Sequence, residues 1–128
     1  MPDSYVSPTE KVTGAVELII NPKDSHHPFD ACERMPAGQA ITVDQVTIYT
    51  IPLIQCALPN KLRITIAGKE FEALIYTKAM EYSERFKCWN KKIEPFHIGE
   101  MVTYSVNFWD RPVCDTKIIL SGVIERKI

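Results

Sequence analysis

The sequence predicts a mainly β domain, either an antiparallel β-barrel or a two-layer β-sandwich of about seven strands with at most one or two short helices. Three observations carry that expectation. Apolar and polar residues alternate in short runs, as in Leu62-Arg63-Ile64-Thr65-Ile66 and Val102-Thr103-Tyr104-Ser105-Val106-Asn107-Phe108, and a period of two is that of a half-buried strand. Gly, Pro and Asn punctuate the runs, as at Asn21-Pro22, Pro59-Asn60 and Gly99. Near the end, Ile118, Leu120 and Ile124 fall on one strand face and Ile119 and Val123 on the other. A strand apolar on both faces belongs inside a sheet or between layers.

The bulk properties bound the function. A chain of 128 residues with 45% apolar and 24% charged residues is one ordinary globular domain with a sufficient core. Its net charge of −1 supplies no global field toward nucleic acid or an anionic membrane. The N-terminus lacks the basic and apolar regions of a secretory signal, and no apolar run approaches the roughly 20 residues needed to span a bilayer. Cys32, Cys56, Cys88 and Cys114 are far apart and form no Cys-x-x-Cys pair. Reduced, buried thiols and a cytoplasmic location follow as expectations.

In chain order, residues 1–10, with two prolines and two serines, read as a flexible arm, and 11–128 as a single β-rich domain. Val12–Ile20 is a strand directed by Val16, Leu18 and Ile20, with Gly14 marking a bulge or a close backbone approach. Residues 21–39 are an irregular connection with room for a helical turn from Pro28, ending before Pro36. Ile41 and Val43, then Val46, Ile48 and Thr50, are β-branched and extended. Pro52 confines that run to a bend, an edge or a strand end. Leu53–Leu58, apolar on all sides, reads as a buried strand. The runs 62–66 and 71–75 around Gly68 form a β-hairpin. Over 77–92 two periodicities compete: Ala79, Tyr82, Phe86 and Trp89 make a helical stripe, while Met80, Tyr82, Phe86 and Cys88 alternate with Glu81, Ser83, Arg85 and Lys87. The β-rich surroundings and the lack of a Gly C-cap favour strand. The segment from Pro95 to Ile128 reads as a long hairpin with a central second strand.

Four constellations carry chemical potential. Asp24, His26, His27, Asp30, Cys32 and Glu33 are zinc and iron ligand types within one loop. Their spacing matches no metal motif, so no metal is expected, with His26, His27, Asp30 and Cys32 as the weak candidates. His97 and Cys114, with Glu100, Asp110 and Asp115 nearby, could be written as base, nucleophile and orienting carboxylates. A strand of about 30 Å separates His97 from Cys114, so no catalytic residue and no enzyme is expected. Arg85, Lys87, Trp89 and Lys91 interleave cations with an aromatic ring, as single-stranded nucleic-acid binders do. Finally, Trp109, Arg111, Trp89, Tyr49 and His97 are residue types that carry interface energy or line ligand pockets, placed at strand ends or off the main apolar stripes.

The leading expectation is therefore a non-catalytic binding or protein-interaction module without cofactor. It acts as a homo-oligomer or on a protein partner, with a small-molecule ligand possible and no membrane involved. The alternatives are an OB-like single-stranded nucleic-acid binder using the 85–91 set, and a metal-dependent or thiol enzyme using the loop ligands.

Overall fold

Each alternating run becomes a strand that turns its apolar residues to one side. The computed structural model describes residues 8–53, 57–68 and 71–128. Nine strands follow one another: β1 (Thr9–Ile20), β2 (Asp30–Arg34), β3 (Gln39–Ile51), β4 (Lys61–Ile66), β5 (Phe71–Tyr76), β6 (Glu81–Ser83), β7 (Cys88–Ile98), β8 (Thr103–Phe108) and β9 (Asp115–Lys127). A 3-10 turn, Thr77–Ala79, is the one helical element among them.

The strands form two antiparallel sheets, ordered β1-β9-β3-β7-β6 and β2-β8-β4-β5. The architecture is thus the sandwich and not the barrel. Successive strands mostly alternate between the layers, and the two four-strand sets β1-β9-β3-β7 and β2-β8-β4-β5 reproduce the double Greek-key order of a jelly roll. The short β6 is an addition at the edge of the larger sheet. No helix among the described residues is long and apolar enough to cross a membrane.

The core lies between the layers. From the larger sheet come Leu18, Ile20, Ile41, Val43, Val46, Ile48, Phe96, Ile98, Ile118 and Leu120, and from the smaller Leu62, Ile64, Ile66, Ile75, Tyr104, Val106 and Phe108, all buried. Full burial of such a side chain contributes about 1.5–3 kcal/mol. In β3 the buried positions change parity, from Ile41 and Val43 to Val46 and Ile48. A β-bulge between Val43 and Gln45 absorbs the change, so both runs face inward. Gly122 of β9 sits opposite Val43 at that irregularity.

Several expectations are corrected. The closing segment is not a hairpin: β8 pairs with β2 and β4, while β9 pairs with β1 and β3 in the other layer. The second strand is central, as its two apolar faces require. There is no helical turn at Pro28, because residues 30–34 find free backbone partners along β8. The strand favoured over 77–92 is broken into the 3-10 turn, the short β6 and the start of β7, and the competing helical stripe is a coincidence of spacing. Residues 84–87 form a turn that sets Tyr82 opposite Trp89 across the β6–β7 pair, with ring centroids 4.8 Å apart. Leu53 is exposed in a bend and residues 57–60 form no strand; the rest of the apolar run, 54–56, lies outside the described residues. Strand β1 begins at Thr9, and most of the expected arm also falls outside them. Of the thiols, Cys88 is buried but Cys32 is exposed and Cys114 half-buried.

Antiparallel register sorts the connections by end. Those between β1 and β2, β3 and β4, β5 and β7 (including β6), and β8 and β9 gather at one end, here the loop end. The β2–β3, β4–β5 and β7–β8 connections form the opposite, turn end.

Candidate functional site

Three strands of the smaller sheet finish at the loop end. Phe108 pairs with Leu62 and points into the core, so the next residue, Trp109, emerges on the outer face. Lys61 pairs with Tyr76 one strand further on. The outcome is a row of ring, cation and ring: the Lys61 Nζ lies 4.1 Å from the Trp109 ring centroid and 5.6 Å from that of Tyr76. Arg63, one step down β4 on the same face, holds its guanidinium 5.5 Å from the Trp109 ring and is ion-paired with Glu72. Each cation–ring contact at an exposed site contributes about 0.5–1 kcal/mol. Among the described residues Lys61 has no carboxylate partner. Trp109 and Tyr76 remain 46% and 50% exposed.

The loop end exposes more large apolar side chains than the turn end. Of the eleven large apolar side chains exposed among the described residues, Ile51, Leu53, Tyr76, Phe86, Trp109 and Val113 lie on these loops or at their strand ends. Ile19 and Leu74 lie within two residues of them, and only Met101, Val123 and Ile128 lie toward the other end. Arg111 stands 5.9 Å over the Phe29 ring and ties the β8–β9 loop to the β1–β2 loop.

Of the five residues expected to bind a partner, Trp109 and Arg111 therefore share the loops of the loop end; Tyr49 and Trp89 lie near that end but within strands of the larger sheet, and His97 lies toward the other end. Tyr49 is half-buried on the outer face of the larger sheet, 5.6 Å under the Lys117 ammonium. Hydrogen bonds to Tyr49 and then to Glu17 raise the Lys117 pKa. Trp89 is paired with Ile48 and packs against the core and Tyr82. His97 is near the turn end, its Nδ1 3.4 Å from the Thr42 hydroxyl.

The cation-aromatic set of the nucleic-acid alternative is dispersed for the same reason. Arg85 and Lys87 lie in the 84–87 turn, where Arg85 covers Phe86 and Lys87 reaches Glu84 at 3.5 Å. The Trp89 ring faces inward and Lys91 is half-buried opposite Val46, so the four share no face.

In the β1–β2 loop, Asp24 Oδ1 accepts the backbone N–H groups of His26 and His27 at 2.8 and 3.1 Å. Those bonds hold the Asp24 carboxyl below its usual pKa. His27 Nδ1 is 3.3 Å from Asp30, and Cys32 follows on β2. Among the described residues no group of three or more His, Cys, Asp and Glu side chains is arranged to hold a metal ion. His97 and Cys114 lie at opposite ends of the sandwich.

Lys61, Tyr76, Phe29 and Val113 escaped sequence reasoning. For one pair a signal was present: continuing the register of 62–66 against 71–75 by one step places Lys61 beside Tyr76. The approach of Trp109 depends on the β4–β8 pairing between strands far apart in the chain, which no local pattern encodes. The chain matches no protein-family model, no curated protein and no solved structure, so its function is read from its own surface.

Proposed function

We propose that this protein is a non-catalytic interaction module that takes a protein partner on its loop end and works in the cytoplasm. The observation that carries this reading is the concentration of exposed apolar side chains at one end of the sandwich, the Trp109–Lys61–Tyr76 row among them. Exposed apolar surface gathered into one patch and rimmed by polar groups is what interaction sites present. Trp, Tyr and Arg are the side chains that carry most interface energy. Loops held by a rigid sandwich are where such proteins place recognition. The jelly-roll order hosts binding, coat-forming and enzymatic domains alike and decides nothing alone. A cytoplasmic setting keeps an exposed thiol such as that of Cys32 reduced.

Site-specific photo-crosslinking tests the proposal. A photoreactive phenylalanine analogue replaces Val113 or Leu53 at the loop end, or Met101 or Val123 away from it, and the protein is irradiated in extract of its source cells. Protein adducts are expected at Val113 and Leu53 and should fall on combining either probe with Trp109→Ala and Lys61→Ala. Equal adducts at Met101 and Val123, or adducts indifferent to the double substitution, would remove the loop end as the binding surface.

A further inference from the structure

A two-layer sandwich has four edge strands, and three of the four here are poor templates for another strand. β2 has five residues and carries Asp30, Glu33 and Arg34; β6 has three residues; β1 bears Glu10, Lys11 and Glu17 along its length. The fourth, β5, reads Phe-Glu-Ala-Leu-Ile-Tyr. Its single charge, Glu72, is ion-paired with Arg63 on the neighbouring strand and keeps about half of its side chain exposed. Leu74 and Tyr76 are 40% and 50% exposed on its outer face. An open groove of about 660 Å³ runs between β5 and β7, with Ile93 and Pro95 beside Lys91, Lys92 and Glu94 on its far wall. β6 leaves it open because it pairs only with Cys88, Trp89 and Asn90. A strand edge that no other strand covers among the described residues, with Leu74 and Tyr76 exposed along it, invites strand addition.

We infer that the occupant is a second copy of this chain, paired β5 to β5, antiparallel, about a two-fold axis at Leu74. Both copies must keep Ala73 and Ile75 toward their cores, so only registers that preserve side-chain parity are allowed. With the axis at Leu74, that residue meets its equivalent, Ala73 meets the second copy's Ile75, and Glu72 meets the second copy's Tyr76. Lys61 lies next to Tyr76 within each subunit. The second copy's Glu72 thus comes two strands, roughly 10 Å, from the Lys61 ammonium, which has no carboxylate partner among the described residues. Moving the axis to Ala73 would instead set Glu72 against the second copy's leucine. The contact is isologous: each subunit offers the same strand, and the assembly closes as a dimer. It uses the sheet edge and not the loops; Tyr76 and Lys61 belong both to this edge and to the row that carries the function proposed above, and Trp109, which lies off the edge, separates the two.

Light scattering of the intact protein over a concentration series, with variants, tests the inference. The wild type is expected to pass reversibly from monomer to dimer. Leu74→Lys, which sets like charges face to face on an exposed position, is expected to weaken the dimer about tenfold or more, with a melting curve unchanged at dilutions where the wild type is also monomeric. Leu74→Cys in a Cys32→Ser background is expected to form a covalent dimer under mild oxidation, because position 74 meets itself at the axis. Trp109→Ala should leave dimerisation unaltered. A wild type that stays monomeric throughout, or a dimer indifferent to Leu74→Lys, would overturn the inference. A dimer lost with Trp109→Ala but not with Leu74→Lys would overturn it too, placing self-association on the loop end.

Discussion

Gly122 and Thr42 lie so close across the β9–β3 pair that a β-carbon on Gly122 would collide with the Thr42 carbonyl. The approach accompanies the bulge that resets the inward face of β3 between Val43 and Gln45. The atom in the way belongs to the backbone of a central strand, which cannot yield without disturbing the ladder. Gly122→Ala is therefore expected to destabilise by about 3 kcal/mol, read as a lower urea midpoint. At Gly14 the obstructing atom is the flexible Cδ1 of Ile124, 2.5 Å from where a methyl group would sit. Gly14→Ala should cost about 1 kcal/mol or less. Equal losses at both sites would show that the bulge does not depend on Gly122.

Tyr104 is buried in β8 beside Glu33 and Cys32, and burial first, then those two groups, push its hydroxyl up to about 12. In the unfolded chain it ionises near 10. The folded state thus holds its proton where the unfolded state releases it, so this contribution to stability is full below pH 10 and is lost as pH rises through 12. Urea midpoints between those values should fall more steeply in the wild type than in Tyr104→Phe.

Glu100 clasps the turn end. One carboxylate oxygen accepts the Gly38 N–H at 2.8 Å and the other the Lys127 ammonium at 3.2 Å. The Lys127 bond, followed by the Gly38 bond, lowers the Glu100 pKa. A depressed carboxyl stabilises the fold above its ordinary value, 4.5, and the effect disappears as pH falls through the folded value. Glu100→Gln is expected to lower the urea midpoint at pH 7 and to flatten its decline on acidification. A decline as steep as the wild type's would show that Glu100 does not contribute to it.

The thiols should react in order of exposure. Mass mapping after a short maleimide pulse is expected to find Cys32 labelled at once and Cys88 only after denaturation. Rapid labelling of Cys88 would mean that the β6–β7 pair opens readily.

Most inward-facing positions were legible along the chain, because the alternation at Leu62, Ile64 and Ile66, or at Tyr104, Val106 and Phe108, is a local property. The layer to which each strand belongs was not. β8 and β9 are separated by a short turn-like segment that looks like a hairpin loop, yet it carries the chain across to the other sheet. The ambiguous stripe of 77–92 resolved through a cross-strand contact between Tyr82 and Trp89, which mimics helical spacing only because a tight turn, 84–87, separates their strands. For the candidate site, Trp109 and Arg111 stood out in the sequence by residue type alone. Lys61, an ordinary lysine after a turn, joins the candidate site through its neighbours on two other strands.

The position of β9 between β1 and β3 has a consequence for how the molecule is made. Its pairing joins Thr9 to Lys127, and β1 has no other partner in its sheet. During synthesis the first strand must wait, unpaired, until the thirteen residues of the ninth have been translated. Only the β4–β5 and β6–β7 hairpins can form from neighbours alone. The larger sheet closes in a late, long-range step, so the nascent chain exposes Leu18, Ile20, Ile41 and Ile48 until then, a long window for chaperones to act.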